Sequence, residues 1–161
     1  MPYRPMHLTL LLALLIGASP ALRAADTSDP APAAAKDPLA DARKLIAERQ
    51  WVAATAALRK LNQTRSADWN NLMGYTLRRS ANPDLAAAER HYLEALRIDP
   101  RHLGALEYLG ELHLMQGDLP KAEARLATLA SACPSGCEEL RDLKAGIERF
   151  KASGNRWVAR P

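Results

Sequence analysis

Three stretches of this chain repeat one pattern at a spacing of 34 residues. Trp51, Ala54, Leu58 and Leu61 recur as Leu85, Ala88, Tyr92 and Ala95, and again as Leu119, Ala122, Leu126 and Leu129. Gaps of three and four residues within each set put the four side chains on one face of an α-helix. Pro134 follows Pro100 at the same interval, with Ser66 at the earlier equivalent. A period of this length belongs to solenoids, whose units cannot bury their apolar faces alone and so stack on copies of themselves.

The helices between these three are looser in register. "MGYTLRR" around Gly74 matches "LGELHLM" around Gly110 at a spacing of 36, because the turn from Ser80 to Asp84 carries two extra residues. The stretch Leu39 to Glu48 supplies a leading helix for the first copy, with Ala42, Leu45 and Ile46 on its apolar side. Asp84 and Asp118 stand where their carboxylates can cap the helices that follow. Small residues such as Gly110 and Ala122 are expected to face one another and bring two backbones close. Few β-branched residues and abundant Ala, Leu, Arg and Glu make the chain all-α from about residue 38 to 151. Over Cys137 to Lys151, Leu140, Leu143, Ile147 and Phe150 form one apolar stripe on an otherwise charged helix, which reads as the closing cap of the array.

With these motifs the chain resembles the tetratricopeptide-repeat family. One copy reads Leu106-x-x-Leu109-Gly110-x-x-His113, then Ala122-x-x-x-Leu126 and Pro134. Another reads Asn70-x-x-Met73-Gly74-x-x-Leu77, then Ala88-x-x-x-Tyr92 and Pro100. The earliest copy keeps only its second half. The resemblance implies an all-α solenoid of helix hairpins, with repeats at about 38–66, 67–100 and 101–134, a capping helix at 137–151 and a tail at 152–161.

The beginning of the chain reads as a leader. Arg4 and His7 precede the apolar run Leu8 to Ile16, and small residues lead to a cut after Ala24, so residues 1–24 are expected to be a secretory signal peptide. The run is shorter than the roughly 20 residues a spanning helix needs, so no stable membrane insertion is expected once it is removed. Six of the eleven prolines lie at or before Pro38, and the polar, Pro/Ala-rich segment 25–37 reads as a flexible arm. The formal charge is +4, of which Arg4 and Arg23 contribute two from the leader. A mature chain with so small an excess gives no case for nucleic acid.

Chemistry-bearing residues are few. In "CPSGC", Cys133 and Cys137 flank a turn set by Pro134 and Gly136, and in an exported protein such a pair most simply forms a disulfide. The open alternative is a thiol-redox or copper-handling site, since Cys-x-x-x-Cys beside a proline resembles the thiol pair of some thioredoxin-fold copper assembly factors and thiolates favour Cu(I). His91, His102 and His113 are scattered and read as structural imidazoles. With no Ser/His/Asp set, no zinc motif and no phosphate loop, no catalytic residue, metal site or cofactor is expected, and the chain is read as no enzyme.

The resemblance also implies a concave groove lined by the first helix of each repeat. Matching positions place Asn71, Tyr75, Arg78, Glu107, Glu111 and Met115 there, beside Asp68, Arg79, Gly104 and Leu114. These residues imply a bound protein or peptide segment with a basic residue for Glu107 and Glu111, an acidic one for Arg78 and an apolar contact for Met115 and Tyr75. The expected role is a non-catalytic interaction adaptor in the cell envelope, placed in a bacterial periplasm. A homodimer is also open, because the N-terminal end of the stack is thinly covered.

Overall fold

A computed structural model describes residues 36–159. The expected leader and all but the last two residues of the arm lie outside the described residues. Within them seven helices follow one another: α1 (Ala40–Ala47), α2 (Trp51–Leu61), α3 (Ala67–Arg79), α4 (Leu85–Ile98), α5 (Leu103–Met115), α6 (Leu119–Ala132) and α7 (Glu138–Ala152). α2, α4 and α6 start at Trp51, Leu85 and Leu119, the 34-residue register seen in the apolar pattern. Three hairpins form, α1–α2, α3–α4 and α5–α6, and α7 closes the stack against α5 and α6. The all-α repeat architecture anticipated from the periodicity is therefore the one adopted. No described helix is long and apolar enough to cross a membrane.

Local chemistry sets the helix starts. Asp84 accepts a hydrogen bond from the Ala87 N–H at 2.9 Å and Asp118 from that of Lys121 at 3.1 Å, as their positions suggested. Ser66 and His102 do the same for α3 and α5, through Trp69 N–H at 3.2 Å and Ala105 N–H at 3.1 Å. Each cap satisfies a backbone donor that the first helical turn leaves without a partner. Gly117, with φ of +78°, makes the tight reversal between α5 and α6. Asp37, assigned to the arm, already belongs to the folded start: its carboxylate takes the Leu39 N–H at 2.9 Å and pairs with Arg43 at 3.2 Å.

The core runs through the stack as three linked clusters. Leu58, Trp69 and Met73 close the first hairpin onto α3; Tyr92, Leu109 and Leu112 join the second to the third; Leu106, Leu129, Leu143 and Phe150 join the third to α7. The helical glycines have a different purpose from the one expected. A β-carbon on Gly74 would meet the Tyr92 ring at 2.7 Å, and one on Gly110 would meet the Leu143 methyls at 2.6 Å. The missing side chains make room for large buried neighbours, rather than for small residues facing small residues. Ala88 and Ala122 are fully buried as well.

Candidate functional site

α3 and α5 lie side by side, and α7 packs on α5, so these helices share one face of the stack. Tyr75, Arg78 and Arg79 occupy neighbouring positions on α3, and Tyr108 and Glu111 on α5. Arg78 is the centre of the arrangement. Its Nη2 lies 2.9 Å from Glu111 Oε2, its Nε donates to the Tyr92 hydroxyl at 3.3 Å, and its Nη1 approaches Met115 Sδ at 3.9 Å. The Tyr75 and Tyr108 rings stand 5.6 and 5.5 Å from the guanidinium carbon and 4.7 Å from each other. A guanidinium suits this place because its planar fork can pair, donate and stack at once.

Burial pulls against the charge on Arg78, yet Tyr92 and Glu111 outweigh it and raise its pKa further. Burial likewise raises the Tyr92 and Tyr108 phenols far above their ordinary range, with Arg78 opposing the shift at Tyr92 and Glu107 adding to it at Tyr108. Both rings stay neutral at any physiological pH.

Five of the residues expected to stand open in the groove are buried: Asn71, Arg78, Glu107, Glu111 and Leu114. The expectation of a free cation and a free anion, each awaiting an opposite charge from a partner, is corrected for Arg78 and Glu111. They meet one another, and their side chains keep only 3% and 4% exposure. Glu107 is 4% exposed and also engaged within the fold. Asn71 packs beside Gly104. Leu114 belongs to the core, and Asp68 is bound to Arg43 and His102, each at 2.9 Å. Tyr75 and Met115 are half-buried and Arg79 is exposed.

Even so, Tyr75, Arg78, Glu107 and Glu111 border one pocket of about 530 Å³. Arg49 and Arg79 add cations to its border, Tyr108 an aromatic ring, and Glu138, Glu139 and Asp142 of α7 three further acids. Trp157, from the segment after α7, completes the lining. A smaller pocket of about 210 Å³ shares Arg78, Arg79 and Trp157 with the first and adds Met115 and Ala159. Arg79 stacks over Trp51 at 5.5 Å and Tyr75 at 5.9 Å, so an aromatic ladder runs Trp51–Tyr75–Tyr108–Tyr92 across three hairpins.

Sequence reasoning read Trp51 only as part of the repeat pattern and left Trp157 between packing back on the cap and hanging free; it assigned neither of them, nor Tyr108 or the acids of α7, to the site. One signal was present: Tyr75-x-x-Arg78 and Tyr108-x-x-Glu111 repeat a tyrosine three residues before opposite charges. No comparable signal marks Glu138, Glu139 and Asp142, which look like any solvated helix face.

The remaining candidates make contacts within the fold. His91 Nδ1 lies 3.0 Å from Asn70 Oδ1 and its ring packs edge-on against Trp69. His102 uses Nδ1 as a helix cap and Nε2 toward Asp68, and His113 Nδ1 lies 3.3 Å from Gln116 Oε1. Cys133 and Cys137 are joined by a disulfide, with Cα atoms 6.0 Å apart. Among the described residues no group of three His, Cys, Asp or Glu side chains could hold a metal ion.

Stacked hairpins, a shared helix face and a mixed aromatic and charged pocket define a helical-repeat protein. Residues 81–147 match the model of the tetratricopeptide repeat, so the chain carries tetratricopeptide repeats over that span. The match runs from the turn before α4 into α7, and α2 joins the same stack by its 34-residue register. The family is typically non-catalytic and suggests protein–protein interaction. A comparison with curated proteins returns no match.

Proposed function

We propose that this chain is a non-catalytic adaptor of the cell envelope, exported and periplasmic, which holds a segment of a partner protein in the groove of α3, α5 and α7. The observation that carries the reading is the 530 Å³ pocket, whose lining brings tyrosines together with cations from the α1–α2 turn and α3 and acids from α5 and α7. Charge of both signs around aromatic surface suits an extended peptide, with specificity from charge placement and affinity from ring contacts. The buried Arg78–Glu111 pair acts as the frame of the site. Discrimination falls to the groups with solvent access: a basic side chain of the partner would meet Glu138 and Glu139, and an acidic one Arg79 or Arg49. Export rests on the leader-like residues 1–24.

Affinity capture from an envelope extract tests this reading, with the parent run beside Arg79→Glu and Glu138→Lys. Both residues border the pocket and are exposed, so neither change disturbs the core. A partner held by the parent and lost by both variants is the expected result. Equal capture by all three would move binding off this face.

A further inference from the structure

The segment after α7 does not run away from the stack. At Ser153 the chain reverses: Gly154 and Asn155 take φ of +72° and +60°, Asn155 N–H donates to the Phe150 carbonyl at 3.0 Å, and the Ser153 hydroxyl bonds the carbonyls of Phe150 and Arg156. The turn carries Trp157 back toward the groove, where its indole packs on the core cluster around Leu106 and Leu114 and borders both pockets beside Arg78 and Arg79. Trp157 is half-buried, whereas Arg156 and Val158 on either side of it are exposed. Trp157 thus forms part of the site's wall, while Arg156, Val158 and Ala159 beside it are exposed. Residues 153–161 contain two arginines and no acid. The groove that Trp157 borders carries Glu107, Glu138, Glu139 and Asp142.

Resting on the adaptor reading above, we propose that the groove recognises a segment built like this tail, a tryptophan flanked by arginines, and that the tail itself holds the site in cis until such a segment displaces it. The partner class is therefore a basic, tryptophan-bearing peptide. A single half-buried indole makes a weak hold, which the tether strengthens by keeping the tail at high local concentration. An intermolecular ligand must match the same contacts and add others along the acidic side of the groove. Removing the anchor should therefore open the site to peptide.

The probe is a fluorescent synthetic peptide, Ser-Gly-Asn-Arg-Trp-Val-Ala-Arg-Pro, identical to residues 153–161, titrated by anisotropy at low salt. It should bind Trp157→Ala at least tenfold more tightly than the parent. Binding should weaken at least tenfold when Glu138→Lys is added, and vanish when the peptide's tryptophan is replaced by alanine. If Trp157→Ala loses helicity, Gly154→Val serves instead: it strains the positive-φ turn without touching the core and should open the site to the same peptide. No binding to either opened variant, equal binding to opened and parent protein, or indifference to Glu138→Lys would each overturn the proposal. Those failures are distinct from that of the adaptor reading, which falls only if Arg79→Glu and Glu138→Lys capture what the parent captures.

Discussion

Arg78 shows at the scale of one residue how a repeat array can hold a charge in its interior. Removing one member of a buried pair leaves the other desolvated beside groups arranged for its partner. Such changes typically cost about 3–5 kcal/mol, whereas replacing both members by apolar residues is close to neutral. Arg78→Met is therefore expected to lower stability by about that amount, and Arg78→Met/Glu111→Leu to recover most of the loss, as read from urea unfolding midpoints of all three proteins. Additive losses would mean that each side chain is held mainly by its other neighbours. Gly74 has the opposite problem, too little room. Its nearest neighbour is a fully buried tyrosine ring whose hydroxyl accepts from Arg78, so the ring has little freedom to retreat. Gly74→Ala should cost about 1–3 kcal/mol by overpacking, despite the better helix propensity of alanine. At Gly110 the obstructing atoms are the branch ends of Leu143, which have more freedom to turn, so Gly110→Ala should cost less. Thermal unfolding of the two variants side by side decides the order.

At the scale of elements, α7 is the helix whose attachment matters most, because it closes the stack and supplies three acids to the pocket. Leu143, Ile147 and Phe150 dock it, Lys151 reaches Glu123 at 2.6 Å, and the disulfide fixes its first turn to the end of α6. A closed loop this short stabilises by about 2 kcal/mol in the chain-entropy model. Cys133→Ser/Cys137→Ser should thus lose about 2 kcal/mol, and hydrogen exchange should rise first in α7 while α3 and α4 stay protected. Persistence of the bond in mild reductant would speak for a structural link, and stoichiometric Cu(I) binding would favour the copper-handling alternative. The elements themselves were largely legible. The 34-residue register located α2, α4 and α6, and the aspartates marked two of the helix starts, because periodicity and capping are local properties that a sequence carries openly. What lay hidden depended on pairing across helices. Nothing local in Arg78 or Glu111 says whether the two side chains turn to solvent or to each other. That was decided by Tyr92 rising from α4 beneath Gly74, and by Tyr75 and Tyr108 covering the pair. Trp157 was hidden for a related reason: a positive-φ turn at Gly154–Asn155, unmarked by any periodic pattern, sends it back to the groove.

Across the whole molecule, two imidazoles tie stability to pH. Burial lowers the His91 pKa, with Arg90 and Arg59 adding to the effect. Burial also lowers that of His113, where Lys121 and Arg125 act in the same direction while Gln116 and Glu89 oppose it. The unfolded chain, whose histidines titrate near the ordinary 6.5, therefore takes up protons before the folded one does as pH falls. Stability from these two sites is complete above that ordinary value and declines as pH drops below it toward the folded values. The carboxylates act in a lower window. Arg97 holds the Glu94 carboxyl below its usual range, and Lys121 does the same for Asp118, so their contribution is lost only at more acidic pH. The two windows can be separated by experiment. Urea midpoints measured from pH 7.5 to 5 should fall for the parent, and the fall should flatten in His91→Asn/His113→Gln, whose amide side chains cannot be protonated in this range. Below pH 4 parent and double variant should decline together. Because His91 packs at the α3–α4 contact and His113 lies on α5 near the turn into α6, acidification would loosen two hairpins at once and with them the face that carries Arg78, Tyr108 and Glu111. A parent midpoint that stayed level between pH 7.5 and 5 would show that both imidazoles reach water as freely in the folded chain as in the unfolded one.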